Sequence, residues 1–391
     1  MIDKNIVAVL LLLISINQLK SQDLGPIVIG TKYSLRSNIL QEDREYWISI
    51  PDSYNNKESS YKRYPVLIVL DGNLHFKPIA GIVNYMSSDV YRSWKIPEMI
   101  VVAIQNVDRR RDYTSDKVIT VRANNTGGGD RFLSFLEDEL LPELDQKFRT
   151  APYRILFGHS LGGLLATHAY MKEKTLFNSF IAVDPSFGTW DSRTMDKKLD
   201  SLSEQSFERF IYIATANWGK RNIRNRDRHI RLYEALNSKC KGELPAKLEY
   251  FENENHSSVP IIAFHNGISA IFEGYGISYR DVANKEQLTQ HFNALSARLS
   301  WNFRPPEHLV NQLGYRMLQS GNDKDKSNAL EFFILNVKNH PKSSNSYDSL
   351  AEAYETLGDI QKATENYKKS LEINPNNEHA RIKIKELSKS K

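Results

Sequence analysis

Apolar residues come in short bursts along most of the chain. Val66-Leu67-Ile68-Val69-Leu70 and Ile100-Val101-Val102-Ala103-Ile104 are continuously apolar over strand length, and Ile155 to Phe157, Phe180 to Val183 and Phe210 to Thr215 repeat the pattern. Such runs fit strands buried on both faces of a parallel sheet rather than strands with one wet face. Between them, Ile79 to Tyr91 and Leu164 to Met171 read as helices. Asp130 to Asp145 is amphipathic, with Phe132, Phe135, Leu136, Leu140 and Leu144 on one side. Lys32 to Leu40 and Arg44 to Ile50 look like an antiparallel pair, since Tyr46, Ile48 and Ile50 alternate with Trp47 and Ser49; Leu248 to Glu252 is the last strand. This alternation predicts an α/β fold with a mostly parallel sheet covered by helices on both faces. In such sheets functional groups gather at the carboxyl ends of the strands. Asp71, Ser160, Asp184 and the segment after Thr215 all fall there.

The pattern changes near Arg304-Pro305-Pro306. Leu313-Gly314, Ala329, Phe333 and Pro341 recur as Leu350-Ala351, Ala363, Tyr367 and Pro375. Tyr347, Leu350, Ala351, Tyr354, Gly358, Ala363, Tyr367 and Pro375 fit the tetratricopeptide pattern, and the first copy fits with a small insertion at Asn322 to Ser327. Glu378 to Leu387 reads as a capping helix. About two such repeats are too few to stand alone, so they should pack on the preceding part or pair with another chain. A groove for a peptide partner and a purely structural role are both open. The expected organisation is therefore a leader over 1–22, an α/β part over 23–303 and a small all-α repeat region over 304–391.

The leader reading rests on Lys4, the apolar Ile6 to Ile16 and the polar Asn17 to Gln22. The apolar core is too short to span a bilayer with its flanks, so a signal peptide is expected, with an uncleaved anchor as the alternative. Either places the body of the protein outside the cytoplasm, secreted or periplasmic, with no transmembrane span after cleavage. At 391 residues, 40% apolar and 25% charged, the chain has ordinary globular composition. A net charge of +5 does not argue for nucleic acid, and no zinc-finger, RNP or basic-region signature is present. There is no Walker A sequence, dinucleotide fingerprint or HExxH, and no cofactor or metal is expected. The single cysteine, Cys240, excludes an intrachain disulfide and a cysteine metal cage.

The chemistry centres on Gly158-His159-Ser160-Leu161-Gly162, a G-x-S-x-G sequence between a strand and a helix. In that setting the serine is a nucleophile on a sharp turn. A serine needs a base, and the base needs an orienting acid, in the chain order Ser, acid, His. His256, in the loop after the last strand, is the candidate base, with His265 as competitor. Asp227, among Arg224, Arg226 and Arg228, is the candidate acid, with Glu234, Asp184 or no acid as alternatives. An oxyanion hole needs backbone N–H groups, here from Leu161 and from Gly72 or Asn73.

Tyr64 to Gly72, Val107 to Thr114, Gly158 to Gly163 and Asn255 to Pro260 follow one another in an order that resembles the putative esterase family of α/β-hydrolases. That family includes siderophore esterases, S-formylglutathione hydrolase, carbohydrate esterases and mycolyltransferases. The resemblance covers roughly residues 30 to 275. It implies a serine esterase with Ser160 as nucleophile, His256 as base and Asn73 with Leu161 as oxyanion donors. Asp227 is less secure in it, because some siderophore esterases manage with a Ser–His pair. The segment 108–114 resembles the siderophore branch. An acyltransferase on the same machinery, and a tetratricopeptide scaffold with a vestigial hydrolase, are the alternatives. The implied substrate is a small-molecule or glycan ester. Arg109, Arg111 and Arg224 are candidate contacts for an anionic substrate or members of internal salt bridges. Trp218, Phe187 and Trp190 could line an acyl or aryl pocket or belong to the core.

Overall fold

The computed structural model describes residues 24–88, 94–117, 125–172, 176–189, 197–200, 202, 209–219, 223–241, 246–320 and 323–389. The expected leader over 1–22 and Trp190 lie outside the described residues. Strand β1 (Thr31–Ser37) pairs antiparallel with β2 (Glu42–Ser49), which pairs antiparallel with β4 (Ile100–Ile104). From there β3 (Tyr64–Val69), β5 (Thr150–His159), β6 (Ser179–Val183), β7 (Phe210–Ala216) and β8 (Ala246–Phe251) run parallel. The sheet order is β1-β2-β4-β3-β5-β6-β7-β8. This is the mostly parallel α/β sheet that the alternation of strands and helices predicts, and the α/β-hydrolase arrangement that the resemblance implies.

The apolar strands are buried because each face of the sheet meets its own layer of helices. Leu67, Val69, Ile155, Phe157 and Tyr212 face α1 (Gly72–Ser87) and α2 (Val259–Ile271). Val66, Ile68, Leu70, Leu156 and Ile213 face the opposite layer. There lie α3 (Gly129–Phe135, continued by a π turn Leu136–Leu140 and then Leu141–Lys147), α4 (Leu161–Tyr170) and α5 (Ile223–Lys239). Period-two geometry makes neighbouring residues of one strand serve two separate cores. Helix α1 begins at Gly72, earlier than the expected Ile79. Its first turn mixes exposed Asn73 and Leu74 with buried His75 and Phe76, which hides the helical period.

The same alternation turns Arg44 inward on β2, between Phe132 and Phe135 at 5.3 and 6.0 Å. Its guanidinium pairs with buried Asp112 and, at 2.5 Å, with Glu42. Arg111 completes the cluster, bonding Glu42 through two nitrogens at 3.0 and 2.6 Å and Asp112 at 2.7 Å. Glu42 is held below the usual carboxylate range: its partial burial works against ionisation, and the two arginines outweigh it.

Beyond α6 (Lys285–Leu299) the chain forms α7 (Glu307–Leu318), α8 (Asp323–Asn339), α9 (Ser344–Thr356), α10 (Ile360–Ile373) and α11 (Glu378–Lys389). These helices do not stand apart. The core on the α1–α2 face continues through Leu288, Leu295 and Phe303 into Leu313, Ala329, Phe332, Phe333 and Leu350. Helices α7 and α8 approach closely at Gly314, where a Cβ would lie 2.6 Å from the Phe333 ring. Polar ties join the two regions. Ser344 donates to Glu58 from its N–H at 2.8 Å and its hydroxyl at 2.9 Å, Tyr61 Oη meets His340 Nδ1 at 2.8 Å, and Arg316 reaches the carbonyls of Tyr279 and Val282. Among the described residues, no helix is long and apolar enough to cross a membrane.

Arg44→Ala should lower unfolding stability by about 3–5 kcal/mol in urea titration, because it strips a buried partner from Asp112 and opens a hole beside Phe132. A midpoint and slope equal to wild type would show that Arg111 alone suffices for Asp112.

Candidate active site

Strand β5 delivers the chain to Ser160, which turns sharply into α4 with φ 60° and ψ −116°. Only glycine fits beside this turn. A Cβ on Gly158 would sit 2.1 Å from the Gly162 carbonyl oxygen. The turn is tied by Ser160 N–H to the Val183 carbonyl at 2.9 Å and by Ser186 N–H to the Ser160 carbonyl at 3.1 Å. These bonds hold a non-glycine residue in a conformation it would otherwise leave.

The Ser160 hydroxyl lies 3.0 Å from His256 Nε2 and 3.0 Å from Ser186 Oγ. His256 sits between β8 and α2, in a turn in which the Asn255 side chain accepts from Ser257 N–H at 2.9 Å and Ser258 N–H at 3.2 Å. Its Nδ1 lies 2.6 Å from Asp184 Oδ2. An ionised carboxylate can only accept, so Nδ1 carries the proton and the Nε2 lone pair faces the serine. Two rings flank the imidazole: Trp218 at 4.6 Å and His159 at 4.4 Å.

Asp184 is 1% exposed and ends β6 with φ 42°. Its carboxylate also accepts from Trp218 Nε1 at 2.6 Å and Ala216 N–H at 3.3 Å. Burial opposes its ionisation. The hydrogen bonds from His256 and Trp218 outweigh burial and hold the carboxyl below its usual range. His159 is also lowered, but with burial as the cause: burial, then the neighbouring His256 and His75, push it down to about 3, so its ring is neutral.

The structure does not place Asp227 beside His256. Helix α5 buries Asn225 and His229, one turn apart, and this pins the face of the helix. His229 Nε2 donates to the Pro185 carbonyl at 2.8 Å, and its Nδ1 receives the Thr215 hydroxyl at 2.5 Å. Asp227, midway between the two, points to solvent. The carboxylate that meets His256 is that of Asp184, one of the alternatives, and not that of Asp227. Its sequence signal was its place directly at the end of an apolar strand, in Val183-Asp184-Pro185. His265 lies on α2 and bonds Asn266 at 3.1 Å, not the serine. Ser186 carried no sequence signal of its own.

Gly72 and Asn73 open α1, and Leu161 opens α4. First-turn N–H groups have no acceptor within their own helix. Leu74 and His75 N–H turn back to the Asp71 carbonyl at 2.9 and 3.1 Å. Gly72 is fixed by contact, since a Cβ there would come 2.4 Å from Gln105 Nε2.

The basic candidates separate. Arg109 bonds Asp71 through two nitrogens, and Arg111 is spent on Glu42 and Asp112. Both belong to internal ion pairs. Arg224 is exposed on α5. Trp218 does reach the site, 41% exposed, while Phe187 is buried against the His229 ring at 5.1 Å and belongs to the core.

A family model described as Putative esterase matches residues 37–231, and a Tetratricopeptide repeat model matches residues 344–377. Ferri-bacillibactin esterase BesA of Bacillus subtilis is 27% identical over 250 residues, covering 59% of this chain and 85% of that protein. Among solved structures, an IroE-like serine hydrolase from Shewanella oneidensis matches with a TM-score of 0.69 at 26% identity, over 78% of this chain and 98% of its own. An uncharacterised protein from Capnocytophaga ochracea matches with a TM-score of 0.62 at 19% identity, over 92% and 99%, which extends the shared fold into the helical tail. The chain belongs to the Putative esterase family, ester hydrolases of the α/β-hydrolase fold, and carries a tetratricopeptide repeat in its tail.

Proposed function

We propose that the protein is a serine esterase working through an acyl-enzyme, with Ser160 as nucleophile, His256 as base and Asp184 as the acid. The observation that carries this reading is the unbroken chain from Ser160 Oγ to His256 Nε2 at 3.0 Å and from His256 Nδ1 to Asp184 at 2.6 Å. Ser160 Oγ attacks the ester carbonyl carbon as its proton passes to His256 Nε2. Ionised Asp184 stabilises the imidazolium and keeps its ring in place, and Trp218 Nε1 fixes the carboxylate from the far side. Negative charge develops on the former carbonyl oxygen, facing the N–H groups of Leu161 and of Gly72 or Asn73. Collapse expels the alcohol, which takes the proton from His256. Water, activated by His256 in turn, then hydrolyses the acyl-enzyme. The neutral His159 ring matters here: a charged neighbour at 4.4 Å would oppose the imidazolium.

For the substrate we infer a siderophore or carbohydrate ester. The family match and the naming of one relative as a ferri-bacillibactin esterase support the former. The half-exposed indole of Trp218 beside the base suits an aromatic group next to the scissile bond. Export to the periplasm or beyond, and a protein partner for the helical repeats, belong to the same proposal. They rest on the apolar segment 6–16 and on the repeat match.

Hydrolysis of p-nitrophenyl butyrate tests the roles. Ser160→Ala should lower kcat by about 10⁶-fold, and Asp184→Asn by about 10⁴-fold. Asp227→Asn should keep the wild-type rate. Wild-type rates in Ser160→Ala would sink the serine mechanism; a slow Asp227→Asn beside a fast Asp184→Asn would reverse the acid assignment.

A depressed acid also leaves a mark on stability. Because the folded Asp184 carboxyl lies below its ordinary 3.8, its ionisation favours the folded state above that value, and this contribution is lost as pH falls through the folded value. Urea midpoints of wild type and Asp184→Asn should therefore keep a constant offset from neutral pH down to about pH 5, with wild type losing ground to the variant below about pH 4. Parallel curves across the acid range would show that Asp184 is not held ionised by its partners.

A further inference from the structure

The hydrolase part and the helical tail meet around a cavity of about 800 Å³. Its walls come from both regions: the stretch leading into β3, the loop before β4, the connection 301–306, the first turns of α7 and the end of α8. The cavity lies at the amino end of the sheet, where Tyr64 of β3 pairs with Thr150 of β5. From Thr150, β5 runs ten residues before the turn at Ser160. That is about 30 Å of strand, so a small ligand held here cannot reach the serine. The volume falls within the range of about 300–1,000 Å³ usual for small-ligand pockets.

The charged side chains of the wall are already engaged. Lys62 Nζ lies 3.5 Å from Glu98, which also accepts from the Ser53 hydroxyl at 2.6 Å. Arg63 donates to the Thr150 carbonyl at 3.2 Å and Arg304 to the Asn339 carbonyl at 3.3 Å. Glu307 accepts from the Ser343 hydroxyl at 2.7 Å and the Asn345 amide at 3.0 Å. No charge is left aimed at a ligand of one sign. Nor is there an apolar socket: among the described residues that line the cavity, Ile96 is the only branched aliphatic.

Aromatic faces and amides remain. Trp94 and His308 stack across the join with ring centroids 3.5 Å apart, and Trp301 lines the same wall, partly buried. Asn339 Nδ2 is buried without a hydrogen-bond partner, which is costly for a donor. The half-buried side chain of Gln312, on α7, makes no hydrogen bond among the described residues. A carboxamide both donates and accepts. Sugar hydroxyls do the same, and the C–H faces of a sugar ring suit the negative face of an aromatic ring. A peptide would instead call for an apolar socket or a charge clamp, and the wall offers neither.

We propose that this cavity is a binding site for a short neutral oligosaccharide, separate from the catalytic centre, with Trp301 as a stacking face and Gln312 and Asn339 as hydrogen-bond partners. It would hold the enzyme on a glycan from the edge of the sheet opposite Ser160. The site does not depend on the reading of Ser160.

Calorimetric titration of the full-length protein with cellotriose, xylotriose, maltotriose, mannotriose and chitotriose tests this, since none of these sugars carries a cleavable ester. At least one should bind with a Kd below about 1 mM. Gln312→Met should weaken that binding by about three- to tenfold, and Trp301→Ala by about tenfold. Gln312→Met should keep the wild-type urea midpoint and the wild-type kcat on p-nitrophenyl butyrate. Absence of binding by all of these sugars overturns the proposal. Unchanged binding in Gln312→Met overturns it as well, with or without a loss in Trp301→Ala, because the sugar then sits elsewhere. If Trp301→Ala does not fold, Gln312→Met decides alone. Tighter binding of trigalacturonate than of any neutral sugar would show that charge governs the site, and binding of tryptic casein peptides where no sugar binds would make it a peptide site; either result overturns the proposal.

Discussion

Just beyond each of strands β3, β5 and β6 stands a non-glycine residue at positive φ: Asp71 at 55°, Ser160 at 60° and Asp184 at 42°. Each conformation costs about 1–2 kcal/mol relative to ordinary backbone. The rest of the site depends on these three reversals. An unstrained residue would carry the chain onward along the strand axis and point its side chain into one of the two helix layers. The positive φ brings Ser160 and Asp184 to one edge with His256 between them. Such strain persists only where the surroundings over-determine it. Here they do: the strands behind all three residues are buried, and Ser160 N–H, Asp184 N–H and Leu70 N–H are each bonded to the neighbouring strand.

A second layer of organisation is the handling of charge in a dry place. Among the described residues, Asp71, Asp112 and Asp184 are buried carboxylates, and each is met by donors suited to it. Asp71 takes an arginine fork, Asp112 takes one nitrogen from each of two arginines, and Asp184 takes an imidazole, an indole and a backbone N–H. The difference is functional. An arginine partner is permanently charged and fixes geometry, whereas an imidazole can gain and lose its proton beside the acid. His229 and His159 sit close to this group, and burial keeps both on the neutral side. His229 is structural, joining α5 to Pro185 and Thr215, and so supports the segment that carries Asp184 and Ser186.

The helical tail shows how a short repeat array is stabilised. Two helix pairs expose an apolar end that a longer array would cover with another repeat. In this chain α6 and Phe303 cover that end, so the core of the hydrolase part runs on into α7, α8 and the start of α9. The second pair and α11 enclose a small core of their own around Ala351, Ala363, Tyr367 and Ala380. The tail is thereby held on the α1–α2 side of the sheet.

Much of this was legible in the chain because it is local. Continuous apolar runs identify strands buried on both faces, G-x-S-x-G between a strand and a helix identifies the turn, and a repeat of fixed period identifies the tail. His256 could be found by its place after the last strand. The acid could not be settled, because Asp184 and Asp227 both follow strands and both lie near basic residues or turns. The choice depends on which face α5 presents, and that is set by Asn225 and His229 meeting Pro185 and Thr215 across the fold. The start of α1 was hidden because the residues that open it face two different surroundings. The arginines after β4 read equally as a substrate rim and as ion pairs, since charge in a sequence carries no direction. The sequence by itself determined the strands, the elbow and the repeats, because periodicity and glycine placement act within a few residues. Only the tertiary structure decided which acid meets His256 and where Arg109 points, because those depend on contacts between segments far apart in the chain.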